Sequence, residues 1–171
     1  MHTYKHEVKY HECDKMGITH HSNYVKFMEE ARVDWLDQIG YGFERVEAEG
    51  VFSPVLAIAC NYKNPTTFKD IIEIEVSVSK MSEIKFDFAY TMRVGEKIVC
   101  TAQSTHCFIE NNRPVALSKR LPELYKAIQE AYEANSKTAL CFSTGSNITF
   151  CPARQNIFWA SNVPDAECNG Q

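Results

Sequence analysis

The sequence predicts an α+β domain in which one long helix packs on a run of consecutive antiparallel strands. Three observations carry that prediction. Apolar residues recur at helical spacing between Ser22 and Gly40, and polar and apolar residues alternate cleanly over residues 70–80. Two further strand-like runs are joined by only Gly95-Glu96, the signature of a hairpin. A single helix with a meander of strands is the α+β plan, with the helix against one sheet face.

Each element follows in order. Residues 4–10 alternate loosely and are expected to form a first strand, and residues 12–19 have turn character. Ser22 or Asn23 can cap the long helix, whose stripe is Tyr24, Phe27, Met28, Ala31 and Trp35. Lys26, Glu29, Glu30, Asp34 and Asp37 fall mostly on other faces, and Gly40 is a stop signal. Residues 43–49 are expected as a short second helix ending at Gly50. Residues 51–62 are apolar and β-compatible, and Asn64-Pro65 marks a loop. Strands are expected over 70–80, 85–94 and 97–109, a turn over 111–114, and a closing helix over 118–133. The apolar stripe of the long helix is broader than a surface helix needs, which fits a helix wrapped by a curved sheet.

Size and charge narrow the function classes. The 171 residues, 44% hydrophobic and 23% charged, suit one domain over residues 1–134 with a tail over 135–171. The tail has few charges and no sustained period, and no function is placed there. A net charge of -4 argues against nucleic acid, because phosphate binding needs a basic face. No segment has the apolar length of a signal peptide core or a membrane span, so a cytoplasmic protein without membrane insertion is expected. The seven cysteines include no CxxC pair and are read as free thiols.

The densest reactive cluster is His11-Glu12-Cys13-Asp14 followed by His20-His21, between the first strand and the long helix. A helix N-terminus offers unpaired N–H groups and a positive dipole end, which can polarise a carbonyl. A carboxylate beside it supplies a base or nucleophile, and the two together make a minimal acyl-transfer site. From the residues alone, Asp14 is equally readable as a turn residue and the histidines as solvated loop side chains.

Asp14-x-x-Gly17-Ile18-x-x-His21-x-x-Tyr24, leading into the helix, resembles the signature of the 4-hydroxybenzoyl-CoA thioesterase family. Glu30-Ala31-Arg32 and the spacing of Tyr62, Pro65 and Asp70 extend the resemblance across residues 4–133. It is nearest to the branch of small bacterial acyl-CoA thioesterases, some of them linked to the Tol–Pal envelope system. The resemblance implies a hotdog fold, a curved antiparallel sheet around one central helix, assembled as a homodimer or homotetramer. It implies hydrolysis of an acyl-CoA, with an acyl carrier protein as the other possible carrier, and no cofactor or metal. Asp14 matches the catalytic Asp, as nucleophile or as base for water. His21 matches the position whose backbone N–H polarises the thioester carbonyl. Gly17 matches the glycine of a tight loop where a side chain would crowd the backbone. Tyr24 matches an aromatic at the helix start, in contact with substrate or packed in the core.

Two departures qualify the match. The family's basic run for the CoA phosphates is replaced by Met81-Ser82-Glu83-Ile84-Lys85, leaving Lys63, Lys69, Lys80, Lys85 and Arg93 as the cations available. His at position 21, where the 4-hydroxybenzoyl branch has Tyr, favours an aliphatic or smaller acyl group. Rival readings are a metal site from His11, Cys13, His20 and His21, a Cys13 nucleophile, and a helix carboxylate at Glu29 or Glu30. A hotdog hydratase or dehydratase is a further reading. From another class comes a non-catalytic module that binds acyl-CoA or acyl carrier protein, which would bind without turnover.

Overall fold

The alternation over residues 70–80 becomes a strand whose Ile72, Ile74, Val76 and Val78 are buried while Glu73, Glu75 and Ser77 are not. Its partner repeats the pattern with Phe86, Phe88, Tyr90 and Met92. The register places Ile74 opposite Met92, Val76 opposite Tyr90 and Val78 opposite Phe88, so both strands turn one apolar face to the same core.

The computed structural model describes residues 3–141, with side chains through residue 135. The order is β1 (Thr3–Glu7), a 3-10 turn (Tyr10–Glu12), α1 (Asn23–Gln38) and α2 (Phe43–Ala48). Then come β2 (Val55–Tyr62), β3 (Ile71–Met81), β4 (Lys85–Val94) and β5 (Lys97–Cys107). A ribbon of β6 (Ile109–Glu110) and β7 (Arg113–Pro114) leads to α3 (Leu117–Arg120) and α4 (Pro122–Cys141). The sheet order is β1-β3-β4-β5-β2, antiparallel throughout, with β1 and β2 at its edges. This is the hotdog arrangement, with α1 against the buried face.

Several boundaries differ from the sequence expectation, each for a local reason. The first strand ends at Glu7, because the chain tightens into the 3-10 turn that Glu12 closes by accepting the Lys9 N–H. The strand expected from residue 51 begins at Val55, and the one expected to reach residue 109 stops at Cys107. Ile109 instead starts the β6–β7 ribbon, turned by Asn111 and Asn112 at φ 50° and 60°, conformations that Asn tolerates. The closing helix divides at Leu121, with Pro122 in the first position of α4, and runs to Cys141. Residues 142–171, most of the expected tail, lie outside the described residues. No helix among the described residues is long and apolar enough to cross a membrane.

The α1 stripe is buried as its spacing requires: Tyr24, Phe27, Met28, Ala31 and Trp35 face inward, joined by Asn23, Arg32 and Leu36. Phe27 is fully buried, and its ring stacks on His6 of β1 with centroids 3.9 Å apart. Phe27→Ala removes both the packing and the platform for His6. It should lower unfolding stability by about 3–5 kcal/mol, read from urea denaturation with an unchanged m-value.

Candidate active site at the start of the long helix

The reactive cluster forms a small hairpin between β1 and α1. Cys13 and Thr19 bridge antiparallel, the Asp14 N–H donates to the Ile18 carbonyl at 2.9 Å, and the Gly17 N–H donates to the Asp14 carbonyl at 2.9 Å. Asp14 Oδ1 accepts the Met16 N–H at 2.8 Å, an Asx turn that orients the carboxylate. Gly17 has φ +77°, and a Cβ there would meet nothing within 4 Å. The glycine therefore serves the left-handed backbone rather than a crowded space, a correction to the expected reason.

This hairpin is docked on the turn before β3. The Thr19 N–H donates to the Thr66 carbonyl at 2.8 Å, and Ile18 bridges to Thr67. Thr66 Oγ1 donates to Thr19 Oγ1 at 2.7 Å and lies 3.0 Å from the Tyr24 hydroxyl. Tyr24 is 3% exposed, with its ring edge-on to Tyr62 at 5.2 Å. Burial raises its phenol pKa, only partly opposed by the bond to Thr66. Of the two roles expected for Tyr24, the structure places it in the core, beneath the loop.

Glu12 ties the loop to the helix. Its backbone carbonyl accepts the His20 N–H at 2.8 Å and the Asn23 side-chain amide at 2.8 Å. Its buried carboxylate pairs with His6 Nε2 at 2.9 Å and accepts the Lys9 N–H at 2.7 Å. His6 Nδ1 in turn meets Glu30 Oε2 at 3.1 Å, which also accepts the Tyr4 hydroxyl. Burial pushes the Glu12 pKa up, but the hydrogen bonds from His6 and Lys9 outweigh it and hold the carboxyl below its ordinary value.

The start of α1 departs from the expected capping. Ser22 occupies the cap position but makes no cap bond; its Oγ lies 2.8 Å from His20 Nδ1. Asn23 is spent on Glu12. No acidic residue sits in the first turn, and among the described residues the His21 N–H has no acceptor. The positive end of a 16-residue helix therefore stands unneutralised at the close of the Asp14 loop. The His21 ring is exposed, 4.1 Å from the His20 ring, and its carbonyl accepts the Tyr62 hydroxyl at 3.0 Å.

The rival residues are placed elsewhere or engaged. Among the described residues no three His, Cys, Asp or Glu side chains converge as metal ligands would, so His11, Cys13, His20 and His21 do not form a ligand set. Cys13 Sγ points at the Lys9 carbonyl, and the Glu30 carboxylate is bound to Tyr4 and His6. Lys80 lies 3.9 Å from Asp87, while Lys63, Lys69 and Lys85 are exposed. Sequence reasoning missed Glu12 and Thr66 as the fixtures of the loop. Glu12 had a signal, an acidic residue inside the reactive cluster, whereas Thr66 lies 47 residues from Thr19 in a loop with no periodic pattern.

Comparison with known proteins places these features in context. The family described as the thioesterase-like superfamily matches residues 8–131. A relative from Aquifex aeolicus named "Putative esterase" is 31% identical over 123 residues, covering 72% of this chain and 96% of its own. "Putative acyl-CoA thioesterase YneP" of Bacillus subtilis is 29% identical over 128 residues, 73% of this chain and 93% of its own. The DHNA-CoA thioesterase structure from Staphylococcus aureus shares the fold, with a TM-score of 0.76, 24% identity, and coverage of 80% of this chain and 93% of its own.

The Glu12 anchor has a pH signature. A carboxyl depressed in the folded state contributes stability above its ordinary value of 4.5 and loses that contribution as pH falls through the folded value. Glu12→Gln should be the less stable protein near neutrality, and its deficit should shrink as the pH falls from neutrality to below the ordinary value of 4.5. Urea denaturation across that range checks it; a deficit independent of pH would remove the charge from the argument.

Proposed function

The chain belongs to the thioesterase-like superfamily, and from that premise we propose that it is an acyl-CoA thioesterase working at the Asp14 hairpin and the start of α1. The superfamily chemistry is thioester hydrolysis: water adds across the C–S bond, giving a free acid and a thiol. The observation that carries the proposal is the uncapped helix end that follows the hairpin carrying an oriented carboxylate. The carbonyl oxygen sits at the His21 N–H, where the helix dipole stabilises the oxyanion of the tetrahedral intermediate. Asp14, whose Oδ1 is held by the Met16 N–H, delivers the attack as nucleophile or through a water. The thiolate leaves as the intermediate collapses. Gly17 and Tyr24 act as positioning residues, one through its backbone conformation and the other through Thr66.

Acyl-CoA as the substrate is supported by the name of the Bacillus subtilis relative and by the residues shared with the acyl-CoA branch. The free edge of the sheet supports assembly into a homodimer or larger homo-oligomer. Val55, Leu56, Ile58 and Tyr62 of β2 are exposed, and an unpaired apolar edge is a pairing surface. A cytoplasmic location remains the reading for a protein that acts on CoA esters.

Thiol release over a panel of acyl-CoA esters, followed with a thiol-reactive dye, tests the site. Asp14→Asn should lose about 10²-fold or more in kcat on the best substrate while keeping the circular dichroism of the parent. Turnover that survives the substitution removes Asp14 from the chemistry. Binding of acyl-CoA without turnover by the parent would make the protein a binding module. A separate expectation concerns the edge: Ile58→Lys should shift sedimentation toward the monomer, and an unchanged oligomer would place the interface elsewhere.

A further inference from the structure

Arg32 is the only Lys or Arg among the buried described residues, at 6% exposure. No carboxylate lies within ion-pair distance of it among the described residues, although Glu29 acts on it from the same helix. Its guanidinium sits 4.9 Å from the Phe43 ring centroid and also acts on the Tyr90 hydroxyl. From Tyr90 a buried chain continues: its hydroxyl lies 2.9 Å from Ser104 Oγ, and Ser104 Oγ lies 2.7 Å from His106 Nε2. His106 is 1% exposed, and its Nδ1 is buried with no hydrogen-bond partner.

The hydroxyls of Tyr90 and Ser104 can each donate or accept along this chain, whereas the Arg32 guanidinium only donates. His106 Nε2 takes the Ser104 contact, as donor or acceptor by tautomer, which leaves Nδ1 buried without a partner. Burial, with Arg32 nearby, holds the imidazole neutral down to about 4. A buried polar group left unpaired is costly, and in a native protein such a group marks a missing partner.

That partner has a place. Arg32, Tyr90, Ser104 and His106 line a cavity of about 50 Å³ together with Met28 and Glu29 of α1 and Ile58 of β2. The volume suits one small polar group, comparable to one or two waters. Met28 and Arg32 belong to one stripe of α1, and Arg32 stands nine residues beyond the helix start at Asn23, about 13.5 Å along the axis at 1.5 Å per residue. The cavity is thus a small slot between α1 and β2 that joins apolar side chains to the polar groups of Arg32, Tyr90, Ser104 and His106.

We infer that this slot receives the far end of the acyl group, and that the Arg32–Tyr90–Ser104–His106 floor selects acyl groups ending in an oxygen acceptor, a hydroxyl or a carboxylate. The inference rests on the proposed hydrolase site, since it takes the carbonyl to lie at His21. It names a specificity determinant that acts on the acyl group, apart from the reacting atoms. A methyl-ended acyl group of the same length would leave His106 Nδ1 without a partner and set an apolar end against the Arg32 guanidinium, and sites built this way discriminate strongly.

The test uses S-alkyl CoA thioethers, which carry no hydrolysable bond, in matched sets ending in methyl, hydroxyl or carboxylate. Their affinities for the full chain are measured by calorimetry. The hydroxyl or the carboxylate member should bind about tenfold or more tightly than its methyl counterpart. The arm that gains more identifies which oxygen the site takes. His106→Leu should bring the three affinities within about threefold of each other, and Tyr90→Phe or Ser104→Ala should narrow the gap the same way if His106→Leu does not fold. Equal affinities in the parent, or a preference that survives these substitutions, would overturn the inference. Thiol release from the matching thioesters separates the two readings. Selective binding without turnover sinks the hydrolase alone, whereas turnover without selectivity sinks only the polar floor.

Discussion

The Glu12 backbone carbonyl, shared between the His20 N–H and the Asn23 side chain, is the contact on which the candidate site depends. It closes the chain between the first strand and the long helix into a loop whose two ends cannot drift apart. Asp14 lies two residues beyond one end of that loop and His21 one residue beyond the other. The carboxylate of the same residue is clamped by His6 from β1 and by the Lys9 N–H. Glu12 thus joins sheet edge, loop and helix through four hydrogen bonds, all between 2.7 and 2.9 Å. A buried carboxylate is costly unless answered in this way, and here the answer is what fixes the loop.

The same contact explains why α1 begins uncapped. Asn23 could satisfy the helix terminus, but its amide is turned back to Glu12, and Ser22 is turned to His20. A cap is worth about 1 kcal/mol to a helix, so leaving it out trades a little stability for available N–H donors. The loss is tolerable because α1 is held by burial along its length, from Tyr24 to Leu36, and not by its ends. Sheet packing lets the helix keep an uncapped terminus.

The architecture was legible where residues repeat. The alternation of β3, the apolar stripe of α1 and the Gly95-Glu96 hairpin each became the element their period implied. Ends were less legible, because β1, β2 and β5 stop where a turn or a long-range bond takes over from local pattern. The site divides in the same way. Asp14, Gly17, His21 and Tyr24 could be marked through the resemblance of their motif to a family signature, yet their arrangement comes from partners far off in the chain, such as Thr66 and Tyr62. Arg32 is instructive here. It lies in the stripe with Met28 and Trp35, where a cation is out of place, and only the fold shows that Tyr90, Ser104 and His106 surround it.

The β2 edge connects these parts. Its Tyr62 hydroxyl holds the His21 carbonyl, its Cys60 thiol touches the Met28 sulfur at 3.7 Å, and its Ile58 walls the slot that ends at Arg32. One strand therefore borders the carbonyl end and the far end of the proposed acyl path. An edge strand with free backbone groups is among the less rigid parts of a sheet, and a specificity floor needs a fixed wall opposite it. Pairing this edge with a second copy would bury its apolar residues and fix that wall in one step. The proposed assembly and the proposed selectivity then share a cause: a substitution that frees the edge should loosen the recognition of the acyl group as well as the oligomer.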